Sequence, residues 1–164
     1  MLGNYQIDEN RREIKVNPIV DQLTHWKDYL EKIKEGTHEE FFQPISKGKW
    51  SKAAIITHIM FWDRFFYEER LPSMIEGRSL AGITADQVEE MNKDAEIYAH
   101  SGISLYEIID GAIKERTRLM EILRQQDLSK SFTINGNQHN LESYVKGEFE
   151  HDLHHLKQLK ELGK

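Results

Sequence analysis

Near the end of the chain, residues 141 to 162 combine an amphipathic helical pattern with three histidines inside five positions. At about 100° per residue, with His151 set at zero, the apolar positions fall between about 20° and 140°. His155 lies inside this arc at about 40°, His151 lies at its margin, and His154 points away. The apolar positions are Leu141, Tyr144, Val145, Leu156, Leu159 and Leu162. The chain must therefore bury a helix face that carries two imidazoles one turn apart.

Another inward histidine, His58, lies near the middle of the apolar face of a helical pattern over residues 52 to 71. A buried imidazole without a partner costs about 1 to 3 kcal/mol, so the fold must satisfy it. Taken alone, a hydrogen bond to a backbone carbonyl explains such a histidine better than a metal does. The inward pair His151 and His155 reverses that preference, because helices hold transition metals with two histidines at i and i+4 and a distant third ligand.

Three further side chains are predicted to surround this site. Trp62, one turn beyond His58, is expected to pack over the same cavity, although an aromatic there also fits plain core. Glu148, at about 60° on the last helix, could orient a histidine, complete the metal shell or pair with Arg116. Arg116 lies at the centre of an apolar stripe. Its permanent charge needs a carboxylate, several carbonyls or a bound anion, or its long side chain must reach solvent. A structural salt bridge between Glu148 and Arg116 is as good an interpretation as a functional role, and no second inward carboxylate is evident.

The helical patterns predict an all-α four-helix bundle with a short extra helix and a small hairpin before the last helix. The long helices are expected near residues 18 to 35, 52 to 71, 104 to 126 and 141 to 162. Pro72 is expected to end the second of them. A capping box at Thr84 predicts the extra helix, which runs to about Ala99, and Asn-Gly within residues 131 to 140 predicts the hairpin.

Length and composition narrow the class of protein. The 164 residues fit a single domain, with residues 1 to 16 as either a mobile arm or a helical lead-in. The chain has no cysteine, which excludes disulfides, thiolate metal sites and a cysteine nucleophile. A net charge of −6 with scattered Lys and Arg argues against nucleic-acid binding. With neither an apolar run of membrane length nor a signal-peptide pattern, we expect a cytoplasmic protein that does not bind membranes.

Several short motifs together resemble the DinB/YfiT-like superfamily, over roughly residues 17 to 162. They are Gly48-Lys49-Trp50-Ser51, Ile55-Ile56-Thr57-His58, Trp62-Asp63, Arg70-Leu71-Pro72 and His151-Asp152-Leu153-His154-His155-Leu156. The resemblance implies a four-helix bundle, commonly dimeric, in which His58, His151 and His155 hold a divalent metal such as zinc or nickel. Some relatives are transferases or isomerases that use bacillithiol or mycothiol, and many have no known activity.

Two main functional hypotheses follow. In the first, the chain is an enzyme in which the metal activates a thiol or water that attacks a small electrophilic substrate, as a thiol S-transferase or a hydrolase. Glu148 would then lie behind a ligand or accept a proton, and Arg116 would hold an anionic group of the substrate. In the second, the chain is a non-enzymatic metal-binding stress-response protein of the DNA-damage-inducible type. A helical protein without metal, with the histidines as a polar core cluster, is a third interpretation.

Overall fold

The computed structural model describes residues 17–36 and 38–161, and within them the chain forms seven α-helices, one π-helical turn and three short strands. The helices are α1 Pro18–Gln22, α2 Thr24–Glu35, α3 Lys52–Phe65, α4 Leu71–Ile75, α5 Ala85–Ala99, α6 Leu105–Arg124 and α7 Leu141–Glu161. The strands are β1 Ser79–Leu80, β2 Ser131–Ile134 and β3 Asn137–Asn140, and the π-helical turn, Phe66–Arg70, joins α3 to α4. The arm predicted at residues 1 to 16 and the helix end predicted at Leu162 lie outside the described residues.

Helix α3 lies at the centre of the packing. It contacts α5, α6 and α7, while α2 packs on α6 and the short α1 packs on both α6 and α7. The pair α1 and α2, together with α3, α6 and α7, makes the predicted four-helix bundle, and α5 is the predicted extra helix. None of the described helices has the length and apolarity needed to cross a membrane.

The helix starts confirm the capping signals read from the sequence. The Thr84 and Ser104 side chains each accept a hydrogen bond from the backbone N–H three residues further on. The side chains of Gln87 and Glu107 in turn accept from the backbone N–H groups of Thr84 and Ser104, which completes two capping boxes. Asn140 caps α7, because its Oδ1 accepts the Ser143 N–H at 2.8 Å.

Two of the predicted long helices are interrupted. The first breaks at Leu23, whose carbonyl accepts a hydrogen bond from Arg116 Nη1 at 3.1 Å. The second does not end at Pro72, so that prediction is wrong: the chain winds through the π-helical turn into α4 and stays helical to Ile75. Pro72 is tolerated because it lies in the first turn of α4, where a missing N–H breaks no helical bond.

The predicted hairpin is present and belongs to a three-stranded sheet of order β1-β2-β3. Asn135 and Gly136 both have positive φ, 51° and 78°, as the two central residues of a tight hairpin turn require. Strand β1 pairs in parallel with β2. It was not predicted, because two residues carry no periodic signal.

Two apolar clusters fill the bundle on either side of a charged layer. One includes Trp26, Ile56 and Ile108, and the other includes Leu23 and Leu119. Along α6, along α7, and along α3 continued into the π-helical turn, residues of one cluster precede the layer and residues of the other follow it. The layer consists of Asp63, Arg116 and Asp152, all nearly inaccessible to solvent.

Candidate metal centre

The three histidines grouped from the sequence come together between α3 and α7. One ring nitrogen from each of His58, His151 and His155 lies within 4.8 Å of the other two. The Nε2 atoms of His151 and His155 are 3.0 Å apart, and the His58 ring centroid is 5.0 Å from that of His155. His58 and His155 are buried, and His151 is the more open of the three. The exposed His154 points away, as the helical angles predicted.

Hydrogen bonds behind two of the rings fix their orientation. His58 Nδ1 donates to Asn92 Oδ1 of α5 at 2.9 Å, and His155 Nδ1 donates to Gln158 Oε1, one turn further along α7, at the same distance. Each bond places the ring proton on Nδ1 and leaves Nε2 as the acceptor, which is how an imidazole is usually prepared for a metal. The Nε2 of His155 is hydrogen-bonded to that of His151. His58 Nε2 is buried and has no hydrogen-bond partner among the described residues.

Burial keeps these imidazoles uncharged. It lowers the pKa of His58 to about 3, with further lowering by the nearby His155 and His151. Burial, followed by the proximity of His151, lowers the pKa of His155 to about 4. The pKa of His151 is also lowered, again chiefly by burial. All three rings are therefore neutral near pH 7, which is the form that binds a metal.

The residues present fit a divalent transition metal. Three neutral nitrogen donors converge, one of them a buried acceptor without a partner, and unpartnered buried polar atoms are rare in native proteins. Three protein ligands are typical of catalytic zinc sites, whereas structural sites usually have four. Imidazole suits zinc, nickel, copper and iron, so the donor set does not choose among them.

Two tryptophans flank His58. The ring of Trp62 lies 6.1 Å from that of His58, so Trp62 is beside the site as predicted. Its indole N–H is buried and finds no acceptor within the described part of the chain. Trp50, which the sequence motifs include but to which no role was assigned, lies at 5.3 Å from the same ring. Aromatic walls on two sides limit water access to His58.

Arg116 makes a different contact from the one predicted. Its Nε and Nη2 donate to Asp63 at 2.8 and 3.0 Å, and its Nη1 and Nη2 donate to Asp152 at 2.6 and 2.9 Å. The fifth N–H goes to the Leu23 carbonyl. Since a guanidinium has five N–H donors, none remains for a substrate. The substrate-binding role suggested for Arg116 is therefore corrected to a role within the core.

Glu148 faces inward but does not pair with Arg116, so that alternative is wrong. Burial raises the pKa of Glu148 to about 8, and the negative charges of Asp63 and Asp152 add to the shift. No second inward carboxylate was evident from the sequence, but the structure has two, since both aspartates are buried. Asp152 could have been found from the sequence, because it lies about 100° from His151, within the apolar arc.

Comparison with known proteins adds information about the fold. No family model matches the chain, and no curated protein matches it by sequence. A solved structure of YfiT from Bacillus subtilis, described as a probable metal-dependent hydrolase with an unusual four-helix bundle topology, matches with a TM-score of 0.68. The match covers 98% of this chain and 93% of YfiT at 16% sequence identity, a level at which the likeness establishes the fold. The chain therefore shares the four-helix bundle fold of the YfiT structure, the fold that its motifs implied.

Proposed function

We propose that this protein is a metal-dependent hydrolase of a small molecule, with His58, His151 and His155 as the metal ligands. The observation that carries the proposal is the buried, unpartnered Nε2 of His58 facing two further imidazoles. Zinc or nickel is the proposed metal. The description of YfiT as a probable metal-dependent hydrolase supports this choice of reaction.

A divalent metal on these nitrogens would lower the pKa of a coordinated water or thiol and so supply a nucleophile at neutral pH. Asn92 and Gln158 hold the Nδ1–H tautomers of His58 and His155. Arg116 ties α3 to α7 through Asp63 and Asp152, which keeps the two ligand-bearing helices in register.

Glu148 is the proposed proton-exchanging group. Its carboxyl lies on the same face of α7 as His151, about one helical turn away. With a pKa of about 8, it holds a proton at neutral pH and can give that proton to a leaving group. Asp63 and Asp152 are less suited to this task, because the Arg116 guanidinium occupies their oxygens.

Transfer to a thiol such as bacillithiol would use the same ligands, and so would a stress-response protein that binds metal without catalysis. We also propose, from the motif resemblance, a cytoplasmic homodimer. Light scattering on the purified protein tests the dimer directly.

The decisive experiment is metal analysis of tag-free protein, followed by assay. After incubation with zinc or nickel and removal of free ions, wild-type protein should retain about one metal per chain, and His151→Ala less than about 0.1. His154→Ala is the matched control, because this exposed histidine lies on the same helix. It should bind metal like the wild type.

The loaded proteins are then tested on nitrophenyl esters, on simple amides and on an aryl halide with bacillithiol. Ester or amide cleavage that His151→Ala loses and His154→Ala keeps supports the hydrolase. Turnover only with the thiol would identify a transferase. Metal retention without any turnover would favour the stress-response protein, and absence of retained metal would overturn the metal centre.

A further inference from the structure

A cavity of about 360 Å³ lies between α5 and the segment that runs from the end of α3 into the π-helical turn. Its inner surface is apolar and half-buried, and it is formed by Phe61, Phe65 and Met91. Small-molecule sites typically occupy about 300 to 1,000 Å³. The cavity therefore has room for a small molecule, or for part of one.

The rim of this cavity is strongly acidic. Four exposed carboxylates line it, those of Glu68, Glu69, Glu90 and Asp94. None of the four forms an ion pair with another described residue. The cation among the lining residues, Arg64, already donates to Glu115 Oε1 through Nε and Nη2, at 3.2 and 2.9 Å. The cavity thus presents uncompensated negative charge to a ligand, which favours a cation.

The apolar inner surface decides the kind of cation, since exposed carboxylates alone do not make a site. The guanidinium carbon of Arg64 lies over the Phe61 ring, 5.9 Å from its centroid. Positive charge is therefore already accommodated against this aromatic surface. A hydrated metal ion gains little from phenyl rings. An organic ammonium ion packs its carbon atoms on the rings and donates its N–H groups to the rim.

The cavity continues the face of α3 that carries a candidate metal ligand. Phe65 follows His58 by seven residues, which is about two helical turns and a rise of about 10 Å on nearly the same face. Trp62 lies between them, with its ring 6.1 Å from that of His58 and 5.6 Å from that of Phe65. On α5, Met91 of the cavity precedes Asn92, which hydrogen-bonds His58. A group bound in the cavity is therefore about two helical turns from the histidine cluster.

We propose that this cavity is a cation site, which binds an organic ammonium group of the substrate. Resting on the hydrolase proposed above, the inference specifies an ester or amide that carries an alkylammonium group several bonds from the cleaved linkage. The hydrocarbon chain packs on Phe61 and Phe65, and the ammonium N–H groups donate to the carboxylates of the rim.

A binding measurement tests the cation site without catalysis. Hexylamine, which is protonated at neutral pH, is titrated calorimetrically into the zinc-loaded protein, with hexanol as the neutral probe. Wild-type protein should bind hexylamine at least about tenfold more tightly than hexanol, and added salt should weaken only the binding of the amine.

The double variant Glu90→Gln with Asp94→Asn removes two charges of the rim. It should weaken hexylamine binding about tenfold and leave hexanol binding unchanged. Coordination of the amine to zinc would not respond to these substitutions. Glu89→Gln is the matched control, because Glu89 is exposed on the same helix and does not line the cavity. It should bind hexylamine like the wild type.

A kinetic comparison tests the link to the substrate. Zinc-loaded protein is assayed with the nitrophenyl ester of ω-aminohexanoic acid and with nitrophenyl hexanoate, its neutral analogue of the same chain length. Wild-type protein should show the higher kcat/KM for the aminohexanoate ester. The double variant should lower that value about tenfold and leave hexanoate nearly unchanged, and Glu89→Gln should change neither.

The two measurements separate the cation site from the hydrolase. If no ester is cleaved but hexylamine binding depends on the rim carboxylates, the hydrolase falls and the cation site stands. If esters are cleaved without preference for the aminohexanoate ester, the cation site falls and the hydrolase stands. Equal binding of hexylamine and hexanol would overturn the cation site in either case. An equal loss in Glu89→Gln would also overturn it, because it would show a general effect of charge.

Discussion

Two buried polar clusters lie along α3 and α7, and they differ in how completely their hydrogen bonds are satisfied. In the charged layer, all five N–H groups of Arg116 find acceptors on Asp63, Asp152 and Leu23. In the histidine cluster, His58 Nε2 is buried and no described residue provides it with a hydrogen-bond partner. A protein interior rarely leaves such an atom unpaired unless something outside the chain completes it. The difference supports the proposal that the histidine cluster binds a metal, whereas the charged layer holds the bundle together.

The largest expected effect tests the charged layer. Arg116→Met would leave Asp63 and Asp152 buried without their counter-ion, so the free energy of unfolding should fall by about 3 to 5 kcal/mol. Urea denaturation of the metal-free protein measures it. Arg124→Met is the control, because the Arg124 ion pair with Asp21 is largely exposed and should contribute less than about 1 kcal/mol. Equal losses in both variants would remove the distinction between the layer and the surface.

The sequence was sufficient for the features that depend on one helix at a time. The angles of His151 and His155 follow from 3.6 residues per turn, and the capping boxes at Thr84 and Ser104 lie within four residues. These are local rules. They located the candidate ligands and the long helices, although the helix breaks at Leu23 and in the π-helical turn escaped them.

The missed contacts join helices whose relative placement no local rule gives. Asn92 reaches His58 from α5, and Asp63 reaches Arg116 across the bundle, over sequence separations of 34 and 53 residues. Glu148 was paired with Arg116 because both face inward, but facing inward does not fix which of several buried carboxylates lies nearest. The packing of the helices places Asp63 and Asp152, and not Glu148, against Arg116.

The next largest effect concerns Glu148, which lies about one helical turn from His151 and whose pKa is affected by Asp63 and Asp152. Its pKa is about 8 in the folded protein against an ordinary value of 4.5, so folding keeps a proton that the unfolded chain releases above pH 4.5. Without metal, wild-type stability should therefore fall relative to Glu148→Gln as pH rises from 4.5 to 8. The slope is at most about 1.4 kcal/mol per pH unit, and the total about 2 to 3 kcal/mol because the side chain is not fully enclosed.

Urea denaturation in EDTA at several pH values measures this difference. Glu142→Gln, an exposed position on α7, should follow the wild type at every pH. If the free energies of unfolding of the wild type and Glu148→Gln changed in parallel with pH, Glu148 would be in contact with water. Glu148 would then no longer be a candidate proton donor.

A smaller effect is expected behind the histidines. Asn92→Ala and Gln158→Ala remove the acceptors that orient His58 and His155, so zinc affinity should fall about 10- to 100-fold in each variant. Calorimetric titration with zinc measures the affinity. The exposed Asn137→Ala is the control and should bind zinc like the wild type. Unchanged affinity in both histidine-partner variants would mean that these two hydrogen bonds do not prepare a metal site.

The smallest effect separates packing from hydrogen bonding at the two tryptophans beside His58. Both are half-buried, but only the N–H of Trp62 is buried without an acceptor. Replacement by Phe removes similar packing from each, yet at Trp62 it also removes an unsatisfied donor that costs about 1 to 3 kcal/mol. Trp62→Phe should therefore be more stable than Trp50→Phe by about 1 kcal/mol in the metal-free protein, as measured by urea denaturation. The opposite order would show that the Trp62 N–H has a hydrogen-bond partner in solution. Trp62 would then resemble Arg116, whose donors are all satisfied, and not His58.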